Sequence, residues 1–484
     1  MKTQRQPMSF RRSALLSELL DAISARGRAL FGPNEPGGLG SYERSGLIGL
    51  GDQLLSRRGE ASGMALAARL LAEFESADDE ARLAFLRALA SHFGADAQAV
   101  EAAIDAYREA SGPEPIERLH QATEPRRQEL VRRMNYAPGG TASLIRMREA
   151  LMDALAANPQ LAAVDADFVH LFSALFNRGF LILRPIDWDT PASVLEKLIR
   201  YEAVHEIRGW DDLKNRLGPP DRRCYGFFPP RLPDDPLIFV EVAFTRETPA
   251  SIASILDAAR EPIAPEAATT AVFYSISNTQ RGLTGVSFGH FLIKQVVEDL
   301  QREFPGLTTF VTLSPAPRFA RWLDAERTSA AEGVLDPAVR AALAVLDTPD
   351  WHNDAVLVEQ VRAPLLAAAS AYFLETRDGR GRVADPIARF HLGNGARLER
   401  LNMLGDTSAK GLEQSYGLMV NYLYDPRTIE RNHEAYAERD EVIASQWVRR
   451  AVPGSRRRPR QEGVASRRRA AAQLVAAART HEPQ

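Results

Sequence analysis

The sequence predicts a two-domain α+β protein, with an N-terminal all-α helical bundle followed by an α/β domain. Three observations predict this class. Apolar residues recur at helical spacing in the first third of the chain, as at Leu66, Leu70 and Phe74. Runs rich in β-branched and aromatic residues begin after about residue 169. Between residues 270 and 313, a strand, a glycine-rich turn, a helix and another strand follow one another, and the strands are continuously apolar, as in a buried parallel pair.

The N-terminal third is predicted to be helical throughout. The segment Ser76-Ala77-Asp78-Asp79 is typical of a helix start, because it places a carboxylate near the positive end of the helix dipole. The helical patterns cover, in order, Ser13 to Leu30, Leu66 to Phe74, Leu86 to Phe93, Ala97 to Ala110, Glu117 to Met134 and Ser143 to Ala157. No cluster of reactive side chains occurs in this part, so residues 1–170 are interpreted as a domain that scaffolds or oligomerises.

The second domain is predicted over residues 171–450. An apolar stripe from Leu292 to Phe304 predicts a helix, which Pro305-Gly306 ends. The strand patterns cover Phe180 to Leu183, Arg223 to Phe228, Leu237 to Thr245, Thr270 to Ser277, Leu307 to Leu313 and Gly417 to Tyr424. Residues 451–484 are basic but lack interleaved aromatic residues, which favours a solvated, flexible tail over a nucleic-acid-binding one.

Composition narrows the class of protein. A chain of 484 residues is too long for one ordinary core. Its net charge of −3 gives no general attraction to nucleic acid or membrane, and no apolar run approaches the roughly 20 residues of a membrane helix. The single cysteine, Cys224, excludes an intrachain disulfide and suits a reducing compartment. Residues 1–28 faintly resemble a transit peptide, but a first amphipathic helix is the better interpretation, so we expect a cytoplasmic protein.

The glycine-rich turn spans Arg281 to Gly289 and precedes a helix. Glycines let the backbone approach a diphosphate, and a helix N-terminus supplies free N–H donors. The turn lacks the Gly-Lys-Ser/Thr of a Walker loop and is not a clean dinucleotide fingerprint. It is similar to the diphosphate loop of GNAT-superfamily acetyltransferases, although its glycine spacing differs. A plain tight connection between strand and helix is the structural alternative.

The same turn contains Gly285-Val286-Ser287-Phe288-Gly289, which matches the nucleophile elbow of α/β-hydrolases. An elbow requires its serine on a sharp turn directly after a strand. Here the strand pattern stops near Ser277, so Ser287 would lie in the first helical turn. We therefore predict that Ser287 is not a covalent nucleophile.

Ser314 is the better candidate serine. It follows the strand pattern Leu307 to Leu313, and ligands bind at the carboxyl ends of strands in open α/β sheets. Pro315 and Pro317 stiffen the chain beyond it. The alternative role is to cap the helix that begins near Phe319.

His391 is the candidate histidine. It lies in Phe390-His391-Leu392-Gly393-Asn394-Gly395-Ala396, beside a turn-forming Asn-Gly pair. None of the nine histidines has metal-ligand spacing to a Cys or Glu. By itself, this motif favours a structural role for His391.

These motifs, in this order from about Phe180 to Asp425, closely resemble the malonyl-CoA decarboxylase family. The resemblance implies a GNAT-like α/β domain in which Ser314 and His391 act on a CoA thioester. It also implies that the substrate is bound by Ser275, Thr284, Gly285, Val286, Ser287, Phe288, Gly289, His290 and Tyr424. Eukaryotic members have Glu where this chain has Ser287, which puts any role of that acid in doubt here.

The resemblance implies conversion of malonyl-CoA to acetyl-CoA and CO₂ through a thioester enolate. Ser314 would bind the malonyl carboxylate or its relay, backbone donors would hold the thioester oxygen, and His391, with a pKa near neutrality, would protonate the α-carbon. No metal, biotin or nicotinamide is implied, because CoA is part of the substrate. Family members assemble as tetramers, so a homo-oligomer, either dimer or tetramer, is expected, without nucleic-acid or membrane partners.

Two other functions stay open from the sequence. One is an acyl-CoA-dependent acetyltransferase on the same fold, which would need a second, nucleophilic substrate. The other is a non-catalytic acyl-CoA-sensing scaffold whose helical domain binds a partner. Release of CO₂ from malonyl-CoA without an acceptor separates decarboxylation from the first, and turnover of any acyl-CoA excludes the second.

Overall fold

A computed structural model describes residues 46–56, 59–176, 181–230, 232–286, 292–329 and 333–451. The predicted helix from Ser13 to Leu30 and the basic tail beyond residue 451 lie outside the described residues. The chain divides into two compact units. One contains Met1–Ile207, Tyr225–Phe239 and Ser277–Gly289, and the other contains Arg208–Cys224, Val240–Ile276 and His290–Gln484.

The first unit is predominantly helical. Its helices are α1 (Leu47–Leu55), α2 (Glu60–Ser76), α3 (Asp79–Ala90), α4 (Ala97–Glu109), α5 (Pro113–Thr123), α6 (Arg126–Met134), α7 (Gly140–Ala154), α8 (Ala162–Leu175) and α9 (Ala192–Tyr201). Short 3-10 turns cover Leu155–Ala157, Pro159–Leu161 and Arg281–Leu283, and strand β1 covers Ile182–Ile186. The described part of this unit therefore has the helical character that the sequence predicts.

Local signals explain where these helices begin and end. Asp78 is the N-cap of α3, and its carboxylate accepts a hydrogen bond from Ala81 N at 2.8 Å. The predicted single helix from Glu117 to Met134 is wrong, because the structure has two helices with Pro125 between them. Proline lacks an N–H and disfavours helical backbone at the residue before it, so the first helix ends at Thr123.

The core of the helical bundle forms where the apolar spacing predicts it. Leu70, Phe74, Phe85 and Phe93 are buried. The ring of Phe85 meets the rings of Phe74 and Phe93 edge to face, with centroids 5.9 and 6.3 Å apart. Such aromatic pairs add to the stabilisation that burial of the rings provides.

The remaining helices are α10 (Trp210–Leu217), α11 (Ala253–Leu256), α12 (Leu292–Glu303), α13 (Phe319–Thr328), α14 (Pro337–Ala342), α15 (Ala355–Leu374), α16 (Pro386–Gly393), α17 (Ala409–Ser415), α18 (Ile429–Arg439) and α19 (Gln446–Arg450). Further 3-10 turns cover Pro265–Ala267, Leu343–Asp347 and Trp351–Asn353. The remaining strands are β2 (Arg222–Phe228), β3 (Ile238–Thr245), β4 (Thr270–Asn278), β5 (Thr309–Thr312), β6 (Ser314–Pro315), β7 (Arg397–Asn402) and β8 (Met419–Leu423). The sequence boundaries of the two units fall within the strands β2, β3 and β4.

The sheet of the second unit places the candidate residues. Strand β4 pairs in parallel with β5, so the predicted β-α-β unit is confirmed. Strand β8 is antiparallel to β5, β6 and β7. In this register Ser314 is paired with Val420, and Val311 with Leu423. The middle of the sheet is thus mixed, because β8 comes from the far end of the sequence.

Two elements of the second unit were not predicted. Strand β7 was not predicted, since Arg397, Glu399 and Arg400 break the apolar pattern that identifies a buried strand. The helix α16 was not predicted either, and His391 lies in its last turn, directly before the Asn-Gly pair. Asp385 caps this helix and Pro386 occupies its first position, two signals that predict a helix start.

Gly395 is predicted to be the least replaceable glycine near this helix. It has φ +81°, and an added Cβ would lie 2.1 Å from the backbone oxygen of Ile429. Gly395→Ala should lower the free energy of unfolding by roughly 3 kcal/mol or more, combining backbone strain with overlap. Urea unfolding measures this loss.

Gly381→Ala is the matched control for this substitution. Gly381 has φ +80°, but nothing lies within 4 Å of the added Cβ. The free energy of unfolding of Gly381→Ala should fall only by the ~1–2 kcal/mol that the left-handed backbone costs a residue with a Cβ. Equal losses for the two variants would show that the contact with Ile429 does not restrict Gly395.

Candidate functional site

Ser314 and His391 are brought together in the second unit. The Ser314 Oγ lies 3.0 Å from the His391 Nε2, and the residues are 6% and 2% exposed. Ser314 is held by the pairing of β6 with β8, and His391 by the last turn of α16. Two residues that are 77 positions apart in the sequence therefore form one buried hydrogen-bonded pair.

Tyr424 completes the contacts of the imidazole. Its hydroxyl lies 2.8 Å from the His391 Nδ1, and the ring of Tyr422 stacks on the imidazole at 4.5 Å. Burial raises the pKa of Tyr424 well above 10, so this phenol keeps its proton. We assign that proton to the bond with Nδ1, which leaves Nε2 as the nitrogen that carries hydrogen.

Thr312 continues the hydrogen bonds beyond Ser314. The Ser314 hydroxyl donates to the Thr312 Oγ1 at 3.0 Å, and Tyr422 N donates to the same oxygen at 3.2 Å. With Nε2 as a donor to Ser314, the bonds run in one direction from Tyr424 through His391 and Ser314 to Thr312. In this arrangement Ser314 accepts from the imidazole and does not donate to it.

Asn421 anchors the strand that carries Thr312. Its Nδ2 donates to the Thr312 backbone oxygen at 2.8 Å. Its Oδ1 accepts from Asn402 Nδ2 at 2.8 Å and from Arg400 Nε at 3.0 Å. Because Asn421 is buried and engages both ends of its amide, it fixes β5, β7 and β8 to one another behind the pair.

Burial sets the charge state of His391. Desolvation lowers the pKa of His391 from its ordinary 6.5 to about 3, so the imidazole is neutral at pH 7 in the free protein. The expectation of a pKa near neutrality is therefore wrong for the free protein. A neighbouring anion would raise this pKa, because it stabilises the imidazolium form.

The described part of the glycine-rich turn lies in the first unit. Thr284 and Gly285 are exposed, Val286 is buried, and Gly285 has φ +79°. The predicted residues Ser287, Phe288, Gly289 and His290 lie outside the described residues. The prediction that Ser287 is not a nucleophile thus stays a prediction.

Ser275 is buried on β4. The side-chain hydrogen bonds given for Ser314 and His391 join them to each other, to Thr312 and to Tyr424. Of the four predicted residues described in the second unit, the structure joins Ser314, His391 and Tyr424 by hydrogen bonds. Their roles in substrate binding and catalysis stay predictions.

Sequence reasoning missed Thr312 and Tyr422. Each lies two residues before a predicted site residue, namely Ser314 and Tyr424. Side chains two apart along extended backbone point to the same face, so the period of a strand was the signal that could have found both.

The described residues contain neither a metal-binding cluster nor a membrane-spanning helix. No group of three or more His, Cys, Asp or Glu is arranged to hold a metal ion in this part of the chain. Among the helices that the structure describes, none has the length and apolar character needed to cross a membrane.

Two protein-family models match the chain. The malonyl-CoA decarboxylase C-terminal domain matches residues 179–462, and the malonyl-CoA decarboxylase N-terminal domain matches residues 93–176. The chain is 34% identical to mitochondrial malonyl-CoA decarboxylase of Anser anser anser over 399 residues, which cover 76% of this chain and 79% of that protein. It is 36% identical to the mitochondrial enzyme of Rattus norvegicus over 356 residues, covering 69% and 72%.

Two crystal structures of malonyl-CoA decarboxylases are also similar. The Rhodopseudomonas palustris protein has a TM-score of 0.80 at 60% identity, covering 84% of this chain and 98% of that chain. The Agrobacterium vitis protein has a TM-score of 0.79 at 56% identity, covering 84% and 99%. These similarities extend over most of the chain and confirm the predicted two-domain α+β class.

Lowering the pH from 7 to 5 should leave folded His391 neutral. Its folded pKa, about 3, is below the unfolded value of 6.5, so only the unfolded chain takes up a proton in this range. The stability that neutral His391 contributes is present above pH 6.5 and is lost as the pH falls toward 3. Relative to His391→Asn, the wild type should therefore lose about 2 kcal/mol between pH 7 and pH 5.

Urea unfolding of both proteins at the two pH values measures this difference. The variant carries every other titrating group, so it corrects for them. A difference between the two proteins that does not change with pH would mean that His391 titrates alike in the folded and unfolded states.

Proposed function

Since the chain belongs to the malonyl-CoA decarboxylase family, we propose that the buried Ser314–His391 pair is the centre at which it decarboxylates malonyl-CoA. The enzyme is a carboxy-lyase that converts malonyl-CoA to acetyl-CoA and CO₂. The observation that supports this assignment of the centre is the 3.0 Å hydrogen bond between the Ser314 Oγ and the His391 Nε2.

Decarboxylation sets two requirements for this centre. Cleavage of the bond between the α-carbon and the carboxylate releases CO₂ and leaves its electron pair as a thioester enolate. The α-carbon must then gain one proton to give acetyl-CoA. The site must therefore bind a carboxylate before cleavage and supply a proton after it.

The low pKa of His391 defines when the proton becomes available. In the free enzyme the imidazole is neutral, and a neutral Nε2–H is a poor acid. If the Ser314 hydroxyl turns from Thr312 to donate to the malonyl carboxylate, the bound carboxylate would place a negative charge next to the ring and raise the pKa of His391. We propose that His391 takes up a solvent proton with substrate bound and transfers it to the enolate carbon, returning to the neutral form.

The glycine-rich turn is the proposed site for the CoA diphosphate. Gly285 is exposed with φ +79°, a backbone conformation that favours glycine, and its lack of a Cβ lets a diphosphate approach the backbone closely. We also propose that the reaction uses no metal, biotin or nicotinamide, and that the enzyme is cytoplasmic and self-associates as a dimer or tetramer. The single cysteine of the chain supports a reducing compartment.

His391→Asn should lose most decarboxylation while it keeps much of its affinity for CoA. A positioned general acid contributes roughly 10²–10⁴-fold, and the nucleotide is bound elsewhere. Ser314→Ala should lose activity as well, and the double variant should be little slower than either single one if the residues act as a unit. The measurement is formation of acetyl-CoA from malonyl-CoA alone, with desulfo-CoA affinity as the control for folding.

Two results would contradict this assignment. Near-normal decarboxylation by His391→Asn would remove His391 from the proton transfer. Multiplicative losses in the double variant would show that Ser314 and His391 act independently.

Thr312→Val should reduce kcat by roughly 5-fold or more without raising KM, because it removes the acceptor that orients the Ser314 hydroxyl. Thr312→Ser keeps the hydroxyl and removes a methyl group, so it should retain kcat and lose about 0.5–1.5 kcal/mol of stability. Steady-state kinetics and urea unfolding separate the two effects. If Thr312→Val slows Ser314→Ala as much as it slows the wild type, Thr312 does not act through Ser314.

Gly285→Val should weaken binding of desulfo-CoA by roughly tenfold, because a β-branched residue is strained at φ +79° and blocks close approach of the diphosphate. Isothermal titration calorimetry measures this affinity. Gly381→Val is the control, since Gly381 is also exposed and has a φ of +80°. If Gly285→Val binds desulfo-CoA as tightly as the wild type does, the turn is not part of the CoA site.

A further inference from the structure

Helix α7 holds the glycine-rich turn by both polar backbone groups of Gly282. Arg148 Nη1 donates to the Gly282 backbone oxygen at 2.6 Å. The Gly282 N–H donates to Glu149 Oε1 at 3.1 Å. Two consecutive residues of one helix therefore bind the backbone N–H and C=O of one residue, although they are more than 130 positions away in sequence.

The guanidinium of Arg148 is buried and paired at this contact. It is only 2% exposed, and a buried guanidinium is costly unless its N–H groups are paired. Its Nε donates to Asp165 Oδ1 at 2.8 Å, and its Nη1 donates to Gly282. The planar fork of an arginine can bind two such fixed acceptors at once, which a lysine cannot do with the same geometry.

The turn fits closely against α7 at the same place. A Cβ at Gly282 would lie 2.3 Å from the backbone oxygen of Ile145, so this contact admits only glycine without a shift of the backbone. Arg281 adds a hydrogen bond from Nη2 to the Glu149 backbone oxygen at 3.3 Å and an ion pair with Asp153. The 3-10 turn Arg281–Leu283 is thus attached to α7 immediately before Thr284 and Gly285.

From these contacts we propose that Arg148 and Glu149 are positioning residues for CoA binding. They fix the backbone of Gly282 and so orient the exposed residues Thr284 and Gly285 toward the diphosphate. The helical part of the chain then determines the affinity for CoA in addition to any role in assembly. This inference rests on the proposed function of the turn as the diphosphate site.

The test compares paired variants of the full-length enzyme. Arg148→Met removes the bond to Gly282 and the ion pair, whereas Asp165→Asn weakens only the ion pair. Glu149→Ala removes the acceptor for Gly282 N, whereas Glu149→Gln retains an oxygen there and should rescue binding. Arg146→Gln is the matched control on α7, because Arg146 is exposed and binds Glu75 and Ser143 and not the turn.

The readouts are the Kd of desulfo-CoA by calorimetry, and KM and kcat for malonyl-CoA. Arg148→Met and Glu149→Ala should raise Kd and KM by roughly 5-fold or more at nearly constant kcat, since each loses a hydrogen bond that orients the turn. Asp165→Asn, Glu149→Gln and Arg146→Gln should bind as the wild type does.

Several results would overturn the proposal. If Arg148→Met and Glu149→Ala keep the wild-type Kd of desulfo-CoA while Gly285→Val binds it more weakly, the contacts of Arg148 and Glu149 with Gly282 have only a structural role. An equal loss of affinity in Asp165→Asn and Arg148→Met would assign the effect to the ion pair. If Arg148→Met does not fold, the comparison of Glu149→Ala with Glu149→Gln decides. Unchanged Kd in Gly285→Val would instead refute the proposed diphosphate site itself.

Discussion

The candidate centre depends on the removal of the His391 imidazole from water. Burial lowers the pKa of His391 to about 3, so the ring enters the hydrogen-bond network as a neutral group with one donor and one acceptor. A charged imidazole would donate from both nitrogens, and Tyr424 would then have to accept. Neutrality leaves the ring one donor and one acceptor, and the assignment of the Tyr424 proton to Nδ1 then sets the direction of the bonds that link Tyr424, His391, Ser314 and Thr312.

The mixed sheet supplies the geometry that this network needs. Thr312 and Ser314 lie two residues apart, as do Tyr422 and Tyr424, so each pair directs its side chains to one face. The antiparallel register of β8 against β5 and β6 brings the two pairs together. Asn421 points the other way and joins β7 to the same strands through Asn402. A one-residue slip of β8 would direct both tyrosines away from His391.

The apolar spacing of the sequence predicted those strands and helices whose formation depends mainly on residues close together in the chain. The parallel pair β4–β5 and its helix followed from continuous apolar strands and an apolar stripe, and the serine at the end of this pattern was found in the same way. The helix from Glu117 to Met134 was predicted too long because the break at Pro125 was not recognised. Strand β7 was missed because charged side chains conceal its periodicity. The pKa of His391 was beyond prediction, since it depends on burial by strands distant in sequence.

The direction of the hydrogen bonds also separates this pair from a serine nucleophile. In a Ser-His hydrolase the serine O–H donates to a neutral imidazole, which takes its proton when the oxygen attacks. With the Tyr424 proton assigned to the bond with Nδ1, Nε2 carries hydrogen, and the Ser314 proton is directed to Thr312. The imidazole has no free lone pair with which to activate Ser314. In the proposed mechanism the ring would take up its proton at Nδ1 while the Tyr424 hydroxyl turns to accept from it, and the resulting imidazolium would be the acid that protonates the enolate.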